Sequence, residues 1–523
     1  MTPAEQRGRL RPGAAQRAGG LFVAAALLAF TLWIHLLSFN AVYTWDSALQ
    51  LTIGRLAHLF NGLRLYADLW DVKPPGIYWY QSVLYATLPP IAASLHLMDF
   101  ALYVAAAGAF YGLCRAESRW PLALLATCTW LYFGHHPDFV NVAGFYSEEY
   151  AAIMGIFAVA AAQRFRVQGA PWLAAASGAL AAGAVLFKHP GAACALPALI
   201  LMSGRRPLQA AMLFGGSAVL VLAAVAAGYA WRGTFDAFLD CQVGFLIEQR
   251  WSQPHDMMLG PLRQLPERVT TQFAAYAWIV VAGLFGAAVC LVRPSRFRLA
   301  VLAWLAADVA LVVMQRFYYE HTWVMAFPSL TLAALVGATW VVQPRAGEAR
   351  AVAVARLLVA TAVAVLAVPP LARVYAQRAP IVRAAWAVLL AGPSGWRQRP
   401  GGTYEEAIGR YVRDHTSPDD TFFVWTTGTG VAAYWTAERR PASRYLYSFS
   451  ARTAEQRDEL ARNAPAFVMI TGDPHPGGYH FSPWLAQHYV LDQELHGDYR
   501  VELWRRTAPA PAAGRSEGSP PGS

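Results

Sequence analysis

Predominantly apolar stretches recur along most of the chain, near residues 20–40, 91–114, 120–135, 149–163, 172–188, 191–203, 208–231, 270–292, 299–315, 322–342 and 351–371. Most approach the roughly 20 residues that a helix needs to cross a bilayer. Such a pattern excludes one compact water-soluble core. Of 523 residues, 56% are hydrophobic and 14% charged, against about 25% charged in an ordinary soluble domain. The expected class is a polytopic α-helical membrane protein.

The net charge is +10, but the basic residues sit in clusters too short to track a phosphate backbone, which argues against nucleic acid. Their spacing sets orientation instead, because short cytoplasmic loops are rich in Lys and Arg. Placing Arg7, Arg9, Arg11 and Arg17 in the cytoplasm, with Arg115/Arg119, Arg164/Arg166, Arg205/Arg206, Arg293/Arg296/Arg298 and Arg345/Arg350, gives a consistent alternation of eleven crossings. Pro89-Pro90 interrupts the segment 76–114 and leaves 11 to 13 helices open. The first apolar stretch follows arginines as a signal peptide would, but no small-residue cleavage site follows it, so it reads as a retained helix. The five cysteines are scattered without CxxC spacing, which indicates neither a disulfide framework nor a zinc site.

With this alternation the conspicuous polar clusters fall on the outer side: Asp46, Asp71/Lys73, Ser147-Glu148-Glu149, Lys188-His189, the 232–269 loop with Glu248 and Arg250, and Arg316 with Glu320-His321. They are expected to converge on one cavity. Ionisable groups at membrane depth are costly and face the protein interior, so they read first as functional. Each also has a plainer reading. Asp46 can cap the helix that follows it, and Lys73 can snorkel to the interface. Lys188-His189-Pro190-Gly191 can be a surface turn, Arg250 beside Trp251 an interfacial anchor, and His321 a packed core histidine. From Ser47 to Phe60, Leu49, Ile53, Leu56 and Phe60 recur at helical spacing before Asn61-Gly62. This segment reads as a short amphipathic helix lying on the membrane.

An Asp at the start of the first outer loop, then an amphipathic helix, then Asp71-Val72-Lys73-Pro74-Pro75-Gly76 leading into an aromatic-rich helix resembles the GT-C membrane glycosyltransferases of glycosyltransferase family 39. That family includes protein O-mannosyltransferases and the lipid A aminoarabinose transferase. The similarity extends to Arg316-Phe317-Tyr318-Tyr319-Glu320-His321 and Phe327-Pro328. The resemblance implies that Asp46 is the first-loop base and that Lys73 meets the lipid phosphate. It also implies that Glu148 or Glu149 is a second acidic position. Some members carry Glu after the first Asp or directly before the lysine. Ser47 and Val72 stand there in this chain, so Asp71 is a second candidate for the partner carboxylate.

Sugar transfer from a polyprenyl phosphate requires a carboxylate to take the acceptor's hydroxyl proton and fixed cations to stabilise the departing phosphate. Asp46 is the expected base, and Lys73, Arg250 and Arg316 the phosphate clamp, with Lys188 and His321 as further candidates. The phosphate already faces cations, so no cofactor is required and a divalent metal is not obligatory. His135-His136-Pro137-Asp138 looks metal-like but lacks a second ligand pair at recurrent spacing.

The expected organisation is a cytoplasmic segment 1–19, a membrane module 20–371 with first outer loop 41–76, a small α/β unit 372–505, and a disordered tail 506–523. In the α/β unit, helical patterns over Tyr404–His415 and Ala454–Asn463 precede strand patterns at Thr421–Trp425 and Ala466–Thr471. Eleven crossings would place it outside the cytoplasm. The segment Arg439-Arg440-Pro441-Ala442-Ser443-Arg444-Tyr445 reads either as a basic surface loop or as a contact for an anionic acceptor or lipid headgroups.

The expected function is sugar transfer, hexosyl or pentosyl, from a polyprenyl-phosphate donor to a hydroxyl of a glycan, lipid or protein at the outer face of the inner membrane. The alternative is a lipid or glycan transporter or flippase, in which interrupted helices near mid-membrane would carry the polar groups. Clustering at one face favours the enzyme.

Overall fold

The structure is a computed structural model. It describes residues 14–38, 45–60, 62–87, 92–134, 145–204, 206–245, 247–248, 256–315, 319–342, 404–425, 429–447, 453–471, 482–496 and 500–507, with isolated positions between 354 and 390. Arg250, Arg316, Pro89-Pro90, the 135–138 segment, most of 351–371 and the tail from 508 lie outside the described residues.

The membrane part is helical: α1 (Ala14–Ser38), α2 (Trp45–Leu59), α3 (Gly76–Thr87), α4 (Ala92–Arg115), α5 (Trp120–Gly134), α6 (Ser147–Gln168), α7 (Pro171–Phe187), α8 (Ala195–Met202), α9 (Pro207–Trp231), α10 (Asp256–Phe273), α11 (Ala277–Val292), α12 (Arg296–Gln315) and α13 (Phe327–Val342). Among the described residues, five spans are long and apolar enough to cross a bilayer: Gly19–Leu36, His96–Arg115, Pro207–Trp231, Arg296–Gln315 and Glu320–Val342. The bent pair Leu265–Phe273 and Ala277–Val292 makes a sixth if it is one span. The expected eleven also counted α7 and 189–202, which are shorter apolar helices. It counted α6 as well, whose ends carry Glu148, Glu149, Arg164 and Arg166. The segment 76–114 divides into α3 and α4, and α3 has only 12 residues.

In α9 only Ala210, Phe214 and Tyr229 are buried, whereas Leu208, Val219 and Leu220 are exposed. A helix this apolar with so bare a surface requires lipid around it. Its contact with α7 depends on Gly178, where a methyl group would stand 2.0 Å from Phe214 O. Close backbone approach at a small residue is how membrane helices associate without a hydrophobic driving force.

Beyond the helices lies a five-stranded sheet ordered β2-β1-β3-β5-β4. Its strands are β1 (Thr421–Trp425), β2 (Arg440–Pro441), β3 (Phe467–Thr471), β4 (Tyr489–His496) and β5 (Arg500–Arg506). β1 pairs in parallel with β2 and β3, while β5 runs antiparallel to β3 and β4. Side chains alternate across the sheet. Phe423 and Val468 pack with Leu460, Leu485 and Tyr489 on one side. Phe422, Val424, Phe467, Met469, Val501 and Leu503 face the other. That second side continues through α14 (Tyr404–Asp414) and α15 (Ala433–Ala437) into the membrane part.

The join is α2. Its Ala48, Leu49, Leu51, Ile53 and Leu56 belong to the same core as the sheet and α3. Thr52 Oγ1 donates to Val431 O at 3.3 Å. Arg55 Nε donates to Trp435 O at 3.2 Å, and Arg55 Nη2 lies 2.7 Å from Glu438 Oε1. Residues 48–56 are all buried, which overturns the expectation of an amphipathic helix lying on the membrane. The polar face of the pattern is real, but it meets the sheet unit rather than water.

Candidate active site

Two chain segments meet where the N-terminus of α3 abuts the C-terminus of α7. A methyl group at Gly76 would stand 2.6 Å from Leu186 O, so only glycine admits this approach. It brings Asp71-Val72-Lys73-Pro74-Pro75, immediately before α3, up to Lys188-His189, immediately after α7.

The first segment is held tightly. Asp71 and Lys73 are 1% and 7% exposed. The Asp71 carboxylate accepts the Val72 N–H at 2.7 Å and a short bond from the Tyr78 hydroxyl. The Lys73 carbonyl accepts Tyr66 OH at 2.8 Å and Gln242 Nε2 at 3.1 Å. Burial keeps the Tyr66 phenol protonated, raising its pKa well above the ordinary value, so it remains a donor. Tyr66 sits at φ +72°, a left-handed conformation that costs a side-chain-bearing residue about 1–3 kcal/mol and is retained where structure over-determines it. Its ring is fixed between Tyr229 and Phe238.

That second segment faces the start of α6. Lys188 Nζ stands 2.7 Å from Glu148 Oε1, and His321 Nε2 lies 3.7 Å from the same oxygen. Ser147 Oγ donates to Glu148 Oε2 at 2.9 Å. Glu148 is fully buried, while the Lys188 and His321 side chains are 18% and 19% exposed. The carboxylate therefore lies at the bottom of the cluster with Lys188 and His321 above it. His321 is stacked between Tyr146 and Tyr319, so its ring plane is fixed by aromatic faces. Tyr319 is a neighbour in the chain, whereas Tyr146 comes from just before α6.

The adjacent acids separate into two roles. Glu149 turns back to the helix start, accepting the Tyr146 N–H at 2.8 Å and the Tyr103 hydroxyl at 2.8 Å. An otherwise orphaned amide at a helix N-terminus is thereby satisfied. Glu148 is the one that faces Lys188 and His321. Asp46 is the second residue of α2, its side chain outside the described residues. Of the expected clusters, Lys188, Glu148 and His321 come together, Glu149 follows Glu148 in the chain, and the Asp71/Lys73 loop leads into the helix whose Gly76 meets Leu186. Glu320 is exposed and meets Gln272 Nε2 at 3.3 Å.

Sequence reasoning passed over Tyr66 and Gln242, and two buried acids in apolar stretches. Asp99 accepts Tyr80 OH at 2.8 Å and Tyr150 OH at 2.7 Å. Asp308 accepts Ser329 Oγ at 2.6 Å. The rule that ionisable groups inside apolar helices are functional candidates would have found both acids. Among the described residues, no group of three His, Cys, Asp or Glu side chains is arranged to hold a metal ion.

No family model and no curated protein matches the chain. Solved structures do. ArnT from Cupriavidus metallidurans bound to undecaprenyl phosphate matches with TM-score 0.58 at 14% identity, over 92% of this chain and 97% of that one. The chain has the GT-C fold. Apo ArnT matches with TM-score 0.52 at 16% identity, over 94% of this chain and 98% of that one. The apo oligosaccharyltransferase of Archaeoglobus fulgidus, also a GT-C structure, gives TM-score 0.51 at 12% identity, over 86% and 69%. These structures and the apolar helices make this GT-C chain a membrane protein.

Proposed function

We propose that this chain is an integral membrane glycosyltransferase that moves a sugar from a polyprenyl-phosphate donor to a hydroxyl acceptor. The observations that support the reading are the buried Lys73 just before α3 and the Lys188–Glu148 pair just after α7, on the two segments joined where Gly76 abuts Leu186. In this reading Lys73 and Lys188 neutralise the lipid phosphate, and Glu148 orients Lys188. Preorganised charge in a poorly hydrated site stabilises developing charge without reorganisation. Asp46 takes the acceptor's hydroxyl proton while the new glycosidic C–O bond forms. The bond from the anomeric carbon to the phosphate oxygen breaks, and polyprenyl phosphate departs. Arg250 and Arg316 are proposed to complete the clamp. The reaction needs no cofactor, and the acceptor is any hydroxyl that reaches Asp46.

Purified protein is expected to bind undecaprenyl phosphate, read as a ligand-dependent rise in thermal midpoint. Lys73→Ala should weaken that binding about tenfold to a hundredfold, the worth of a hydrogen bond to a charged group. Lys73→Arg should restore part of it, because a planar fork replaces a compact ammonium. Unchanged affinity in Lys73→Ala removes the lysine from the phosphate site.

The sheet unit and the site lie outside the cytoplasm in this reading, which takes the arginine-rich loops as cytoplasmic. A reporter enzyme active only outside the cytoplasm, fused after Arg505, is expected to be active. Activity of a cytoplasmic reporter alone would reverse the topology and the proposed side of the reaction.

A further inference from the structure

The basic segment 439–445, read from sequence as a surface loop or an anion contact, turns Arg439 and Arg444 to partners within the protein, while Arg440 is exposed. Arg439 is buried and donates to Arg413 O at 2.7 Å, Thr416 O at 2.8 Å and Thr416 Oγ1 at 2.8 Å. Arg444 pairs with Glu455 and Glu459. Both acids belong to α16 (Thr453–Asn463), which packs beside the sheet. The same helix fastens the rest of the segment. Ser443 Oγ and Arg444 N both donate to Glu459 Oε2. Gln456 Nε2 donates to Tyr447 O at 2.7 Å, and Tyr445 OH donates to Glu455 Oε2 at 2.6 Å.

The opposite side of this strap meets the loop that carries Asp71 and Lys73. Trp70 N donates to Arg444 O at 2.9 Å, linking residues far apart in sequence. The Trp70 ring lies 5.2 Å from both Tyr445 and Phe245, in a cluster that also holds Tyr66, Tyr229 and Cys241. Trp70 immediately precedes Asp71, and Tyr66 holds the Lys73 carbonyl. The loop is therefore gripped on both sides of its charged residues, once by the membrane helices and once by the sheet unit.

We infer that the 443–447 strap, through the Tyr445 ring and the Arg444 carbonyl, positions the Asp71–Lys73 loop. The sheet unit thereby sets where the Lys73 ammonium stands; this consequence rests on the proposed reading of Lys73 as a phosphate ligand. Tyr445 is a positioning residue, since it acts through Trp70 and not on substrate. The Trp70 and Tyr445 rings pack at a tilt of 53°, and aromatic contacts reward a particular geometry as well as burial, so a smaller side chain at 445 releases Trp70.

The test uses the full-length protein in detergent and two readouts, amide hydrogen exchange of peptides covering 64–76 and affinity for undecaprenyl phosphate. Tyr445→Ala is expected to speed exchange in those peptides without changing the α4 and α6 peptides, and to weaken affinity about fivefold to tenfold. Tyr445→Phe keeps the ring and should restore both. Glu455→Ala, at a half-exposed site, should loosen the same peptides partially, and it serves if Tyr445→Ala does not fold. Unchanged exchange over 64–76 in the folded variants overturns the inference. Faster exchange with unchanged affinity, while Lys73→Ala still weakens binding, overturns the link between strap and ammonium. If exchange quickens and Lys73→Ala also leaves affinity untouched, the positioning stands and the phosphate reading of Lys73 fails.

Discussion

Lys188→Met is expected to lower the stability of the folded protein by about 3–5 kcal/mol, the usual cost of removing one partner from a buried ion pair. The reason is the asymmetry of the pair. Glu148 is fully buried, and removing the ammonium 2.7 Å away takes a direct cationic partner from its charge. The Glu148→Gln/Lys188→Met double variant carries neither charge, so most of the lost thermal midpoint should return. Sugar transfer should not return with it. A fixed cation aimed at developing charge is worth about a hundredfold to a thousandfold in rate, and the double variant has lost one. Midpoint and transfer rate, measured on the three proteins, separate the two roles. A double variant that transfers sugar at the parental rate would make the cluster a structural staple, and an unshifted midpoint in Lys188→Met would mean that the pair is not formed.

The features of this chain that were legible in sequence are those set by local pattern. Apolar stretches of spanning length announced a helical membrane protein, and the run Asp71–Gly76 announced a polar site beside a helix start. The segments Thr421–Trp425 and Phe467–Thr471 are strands because short runs of β-branched and aromatic residues suit a sheet buried on both sides. Meetings between distant segments were not legible. Nothing near Gln242 says that its amide will bond the Lys73 carbonyl, 169 residues earlier in sequence. The periodicity of α2 correctly marked an apolar and a polar face, but periodicity does not name the medium that each face meets. Here Thr52 and Arg55 meet Val431, Trp435 and Glu438. The arginines at 439 and 444 show the same limit, since a guanidinium's donors are as well suited to carbonyls and carboxylates of its own fold as to a foreign anion.

The choice between Glu148 and Glu149 lay at the edge of what sequence offers. Two consecutive residues on a helix point about 100° apart, so only one can face a given neighbour. The third position of a helix is where an acid reaches back to the first amides, and Glu149 takes that place here. The signature residue, a Ser or Thr three positions earlier, is replaced by Tyr146, which removed the cue.

Asp46→Asn should abolish sugar transfer while leaving the protein folded and able to bind undecaprenyl phosphate. Asp46 is the second residue of α2, so its negative charge also favours the helix start, an effect worth about 0.3–1 kcal/mol. Asparagine keeps the shape and loses only that charge, so a structural role predicts a small fall in thermal midpoint and a transfer rate near that of the parent. A general base predicts otherwise. An amide cannot take the acceptor's proton, and positioned acid–base catalysis contributes about a hundredfold to ten-thousandfold in rate. Donor affinity should stay unchanged in both cases, since Lys73 and Lys188 are untouched, and measuring it guards against a loss caused by misfolding. A near-parental rate in purified Asp46→Asn would return Asp46 to the role of helix-start charge. The base would then be sought first at Asp71 and Glu148, the two carboxylates buried at the α3–α7 junction.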